Sequence, residues 1–147
     1  MGCDIHSHFE VKINGKWEHY STPDINRNYR LFEKMAGVRG SVSNAISPPK
    51  GLPEDMSAIT NIDANRWFNE IGAHSPSWLS SSEFKVIYEF HDSLYDLENY
   101  GESVKWRQID EVQYGYLFGN RFKDFESGSE GYPKEIEDFR LVFWFDN

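Results

Sequence analysis

The most chemically competent residues open the chain. Asp4-Ile5-His6-Ser7-His8-Phe9-Glu10 alternates acid and imidazole groups with Ile, Ser and Phe. On an extended strand successive side chains point to opposite faces, so Asp4, His6, His8 and Glu10 share one row. Neighbours in such a row lie about 6.6 Å apart, from a rise of roughly 3.3 Å per residue. Two imidazoles at that spacing can converge on one divalent metal, zinc or manganese. Three nitrogen or oxygen ligands with an open fourth position is the pattern of catalytic zinc. A bound ion lowers the pKa of its water to near 7 and makes a nucleophile. The same residues also suit the wet face of a half-exposed antiparallel sheet. In that case His8→Ala costs within about 0.5 kcal/mol, as most surface changes do.

A second set is Ala73-His74-Ser75-Pro76-Ser77-Trp78-Leu79. It precedes a helix start, where free N–H groups and a partial positive charge favour anions. His74 can act there as acid, base or phosphate donor, with Ser75, Ser77 and Trp78 binding the ligand. The alternative is that His74 and Ser77 order a turn. A third set is Arg27, Arg30 and Arg39, with Arg66 further on. Guanidinium forks suit phosphates, although arginines also pair with carboxylates.

These residues must be positioned by a fold. Asn14-Gly15 between two extended runs is a strong hairpin signal and makes residues 3–21 a β-hairpin. A two-residue turn pairs Glu10 with His19 and Lys12 with Trp17, so His19 joins the polar row. The candidate metal ligands are therefore Asp4, His6, His8, Glu10 and His19. The candidate catalytic residues are Asp4, His6, His8 and His74. Cys3, Ile5, Ser7, Phe9 and Val11 face the other way, which makes Cys3 a packed core thiol.

Residues 28–38 read as a helix with Leu31, Phe32, Met35 and Ala36 on one side, and residues 40–61 as a long irregular stretch. Residues 63–71 read as a short helix closed by Gly72. Ser80 and Glu83 form a capping box, and Leu79 with Phe84 a hydrophobic staple, at the start of the next helix. His91 falls on that helix's apolar stripe. A further helix is expected over 109–125 and an acidic loop over 126–138. Residues 139–145, apolar on both sides apart from Arg140, read as a central strand. The expectation is an α+β fold: a single domain over 1–147, its mostly antiparallel sheet built from the hairpin and the C-terminal strand and packed with about four helices.

With 147 residues, the chain suits one domain. Aromatic residues make up 16% of it, enough to fill a core and still line a pocket. The formal net charge is −9, of which residues 1–80 carry −1 and residues 81–147 carry −8. That surface repels duplex nucleic acid, whose binding needs many basic contacts, but leaves room for a small nucleotide-like anion in the near-neutral half. With one cysteine no intrachain disulfide forms, and a cytoplasmic location is expected. No apolar run approaches a membrane helix, and no membrane partner is expected. A homo-oligomer stays open. Phosphate-loop, dinucleotide, zinc-finger and EF-hand motifs are absent.

The spelling Asp-x-His-x-His is also that of amidohydrolase- and PHP-type metal hydrolases, but a barrel of about 250 residues does not fit this length. A broader likeness begins at Met1-Gly2-Cys3-Asp4-Ile5-His6 and continues at Arg27-Asn28-Tyr29-Arg30-Leu31-Phe32, Val38-Arg39, Gly51-Leu52-Pro53-Glu54-Asp55 and His74-Ser75-Pro76-Ser77-Trp78-Leu79. In these the chain resembles a family of small phage and prophage proteins. The resemblance implies a viral accessory or counter-defence role in the host cytoplasm, and through it a nucleotide immune signal as ligand. Metal-assisted phosphodiester hydrolysis is the reading preferred here. Two alternatives stand beside it: a non-catalytic protein that sequesters the nucleotide, and an acidic protein–protein inhibitor.

Overall fold

The computed structural model describes residues 2–23, 25, 27–98 and 136–147, with backbone alone over 91–98. The helix expected over 109–125, most of the loop expected over 126–138, and the His91 side chain lie outside those residues.

The hairpin forms as its turn residues dictate. Strands β1 (Asp4–Ile13) and β2 (Lys16–Ser21) are joined by Asn14 and Gly15 at φ 52° and 76°, the left-handed pair of a type I′ turn. Glu10 faces His19 and Lys12 faces Trp17. Helix α1 (Tyr29–Ala36) starts where the Asn28 side chain accepts from Leu31 N at 3.1 Å, and stops at Gly37, φ 76°. Its Leu31, Phe32, Met35 and Ala36 are buried.

Helix α2 (Ala58–Arg66), capped by Ser57, begins at Ala58, five residues ahead of the helix expected at 63. It runs on into one wide turn, Trp67–Ile71, before Gly72. Residues 74–80 correct the sequence reading. They form a strand, β3 (His74–Ser80), rather than a turn. Helix α3 (Ser81–Glu98) follows with the capping box in place. Ser80 N donates to Glu83 Oε1 at 2.9 Å, and Glu83 N donates to Ser80 Oγ at 3.3 Å.

The final strand, β4 (Ile136–Asp146), is central as expected. The sheet runs β2-β1-β4-β3 with every neighbouring pair antiparallel. One face carries Phe9, Leu79, Leu141, Phe143 and Phe145 and packs on α1 and α3 as the main core. The other face carries the His row, Val142 and Trp144. It is covered by α2, the wide turn and the 50–57 segment through Ala64, Trp67, Phe68, Leu52 and Met56. The arrangement is α+β, with three α-helices and a four-stranded antiparallel sheet among the described residues. No helix among them is long and apolar enough to cross a membrane.

Candidate functional site

The covering layer overturns the idea of a wet polar face. His8 is 3% exposed and Glu10 is 0% exposed. A buried polar group must find partners, and the row divides according to which partners it finds.

His8 sits beside a bulge. The β1–β2 register shifts between Phe9 and Glu10, so that Phe9 faces Ser21 while Glu10 still faces His19. The extra residue, Tyr20, shifts the chain by one, and Thr22 after Ser21 comes to lie beside His8; bulges commonly re-aim side chains in this way. Thr22 Oγ1 then lies 3.3 Å from both His8 Nδ1 and His19 Nε2, and those two nitrogens are 3.0 Å apart. On its other side His8 Nε2 meets Asp63 Oδ2 of α2 at 2.7 Å. A carboxylate only accepts, so the proton of this short bond belongs on Nε2. Burial pushes the His19 pKa below the usual histidine value, and neighbouring His8 lowers it further, against an opposing pull from Glu10.

His6 forms a separate pair. Its Nε2 lies 3.0 Å from Asp146 Oδ2, and its ring stacks on Trp67 with centroids 3.9 Å apart. Its Nδ1 has no partner among the described residues. Asp4 takes a bidentate fork from Arg27 at 3.0 Å on each arm, with both groups half exposed.

These pairs border one cavity of about 460 Å³, within the range of small-molecule sites. It opens along the stretch of β1 that β2 does not reach. Asp4, His6, Thr22, Arg27 and Asp63 are in its walls.

Other expected residues lie elsewhere. Both Glu10 oxygens are engaged, Oε1 by Arg140 Nε at 2.9 Å and Oε2 by Ser57 N at 2.8 Å. Glu10 is thereby separated from the His8 cluster and serves as an internal counter-ion. The five-residue metal set is accordingly split into four pairings, and no three His, Cys, Asp or Glu side chains among the described residues converge as a metal group. His74 Nδ1 meets Ser75 Oγ at 3.0 Å and Nε2 meets Asn147 Oδ1 at 3.1 Å. Ser77 Oγ accepts from Lys50 N at 3.0 Å, and Trp78 lies under Lys50 Nζ at 3.8 Å. These contacts of Ser77 and Trp78, with Gly51 N donating to Pro76 O at 2.9 Å, strap the 50–57 segment to β3. Arg39 lies over the Tyr29 ring at 5.2 Å and is hydrogen-bonded to the Cys3 thiol, whose pKa burial raises against the pull of Arg39. Arg30 is exposed on α1, and neither Arg30 nor Arg39 is in the cavity wall.

Sequence reading missed Thr22, Asp63, Trp67 as a stacking partner, and Asp146. Only Asp146 had a sequence signal, since alternation along β4 puts it on the row's face. Comparison of the chain with family models, curated proteins and solved structures yields no match.

Proposed function

We propose that the chain binds a small nucleotide-like phosphate ester in the 460 Å³ cavity and hydrolyses a phosphodiester bond there. The observation that carries this reading is His6, held from behind by Asp146, in the wall of a cavity that Arg27 also lines. Asp146 fixes the proton of His6 on Nε2, which leaves Nδ1 to take or give a proton. Stacking on Trp67 holds the ring in place. Arg27, held at the rim by Asp4 through Nε and Nη2, has Nη1 to donate to the phosphate. The nucleotide class of ligand comes from the resemblance to small phage proteins.

The test is incubation of the purified chain with cyclic and linear nucleotides, with products resolved by ion-exchange chromatography. Turnover is expected, falling about 10²–10⁴-fold in His6→Gln, the usual contribution of a positioned acid–base group. Intact nucleotide captured one-to-one and released by heat overturns hydrolysis in favour of sequestration. Neither turnover nor capture removes the nucleotide reading altogether.

A further inference from the structure

We propose that His8 Nδ1, His19 Nε2 and Thr22 Oγ1 form a site for one divalent transition-metal ion, zinc foremost, beside the cavity that Thr22 and Asp63 line. The three atoms are 3.0, 3.3 and 3.3 Å apart. A point equidistant from atoms so spaced lies about 1.9 Å from each, and a small step out of their plane gives the roughly 2.0–2.1 Å of zinc–nitrogen bonds. At that length the two nitrogens subtend about 95°, between octahedral and tetrahedral values.

The His8 tautomer agrees with this geometry, and His19, which donates from Nε2 in the 3.0 Å contact, ligates once that proton moves to Nδ1 or is released. Asp63 commits the His8 proton to Nε2 at 2.7 Å, so Nδ1 presents a lone pair towards His19 and Thr22. A carboxylate behind a ligating imidazole is the usual outer support of such sites, fixing both tautomer and ring orientation. Imidazole favours zinc over the oxygen-seeking manganese. Three protein atoms leave a coordination position for water or a phosphate oxygen. Glu10 and His6 are excluded from the set, because each is paired elsewhere.

This site does not depend on the hydrolysis assigned to His6. Its test is calorimetric titration of the chelator-stripped full chain with zinc, paralleled by the visible spectrum of the cobalt-loaded chain. One ion per chain is expected. Because His8 is buried, His19→Ala is the main variant, its fold checked by circular dichroism. Asp63→Asn is expected to weaken binding about 10–100-fold and His19→Ala more than that, while His74→Ala leaves it unchanged. Absence of saturable one-to-one binding, or binding indifferent to His19→Ala in a folded chain, overturns the site. Zinc bound one-to-one without nucleotide turnover keeps the site and removes the hydrolytic reading. Turnover without saturable zinc binding does the reverse.

Discussion

The polar row on β1 has two ends that share a strand, a face and an alternation, and their fates differ. At the Glu10 end β1 is flanked on both sides, by β2 and β4, and α2 begins directly over it. Glu10 is there enclosed by Arg140 and Ser57, and Arg140 is itself held by Asp55 Oδ1 at 3.0 Å and by the Trp17 ring at 4.1 Å. At the Asp4 end β2 has already stopped, and β1 pairs only with β4. Asp4 and His6 keep contact with solvent and a cavity opens beside them. Residue type alone did not decide which acid became structural. The reach of the neighbouring strand did, because it determines how much water each carboxylate retains.

The contrast is broken most sharply at Arg140. Arg140→Met leaves the Glu10 carboxylate buried without its cation, which typically costs about 3–5 kcal/mol. Urea unfolding followed by Trp fluorescence measures the loss. Replacing both partners, Glu10→Leu with Arg140→Met, is expected to recover most of it, since the pair is then absent rather than broken. A loss under about 1 kcal/mol in the single variant, the range of exposed pairs, would mean that water reaches Glu10 and that the two ends are alike.

How far this was legible in the sequence also varied along the chain. Asn14-Gly15 set both turn and register, and Ser80 with Glu83 set a helix start, because each signal is confined to a few adjacent residues. The bulge was hidden, since Tyr20 carries no mark of being the extra residue. Strand β3 was hidden by Ser75, at φ 54°, and by Pro76, both of which read as turn. An edge strand tolerates proline where an N–H is not needed by the sheet. The cover over the His row was the least legible of all. On α2, Ile59 and Ile62 are 56% and 70% exposed, while Thr60 and Ala64 are buried. A helix that docks through its small residues leaves no apolar stripe to read.

His8 lies between the two ends and sharpens the comparison. It is buried like Glu10 yet belongs to the cavity cluster. His8→Ala removes the partner of Asp63 and His19, for which a cost of about 1–3 kcal/mol is expected. That exceeds the 0.5 kcal/mol or so of a surface change. The same unfolding measurement checks it. A near-zero loss would restore the solvent-facing row and remove the physical basis for calling this cluster preorganised.

The smallest effect on stability is expected at the Asp4–Arg27 rim. Both side chains are half exposed, so the fork is screened by water and salt, and Arg27→Ala is expected to cost no more than about 1 kcal/mol. Its value to the comparison lies in separating stability from binding. At the Glu10 end an arginine holds the fold, and its removal is read first as lost stability. At the Asp4 end the arginine is dispensable to the fold and forms part of a cavity wall. Arg27→Ala should therefore leave the urea midpoint nearly unchanged while weakening phosphate-ester binding, with the wild-type affinity falling as salt rises. A variant that loses stability but binds as well as the wild type would reverse the assignment and make Arg27 a second structural cation.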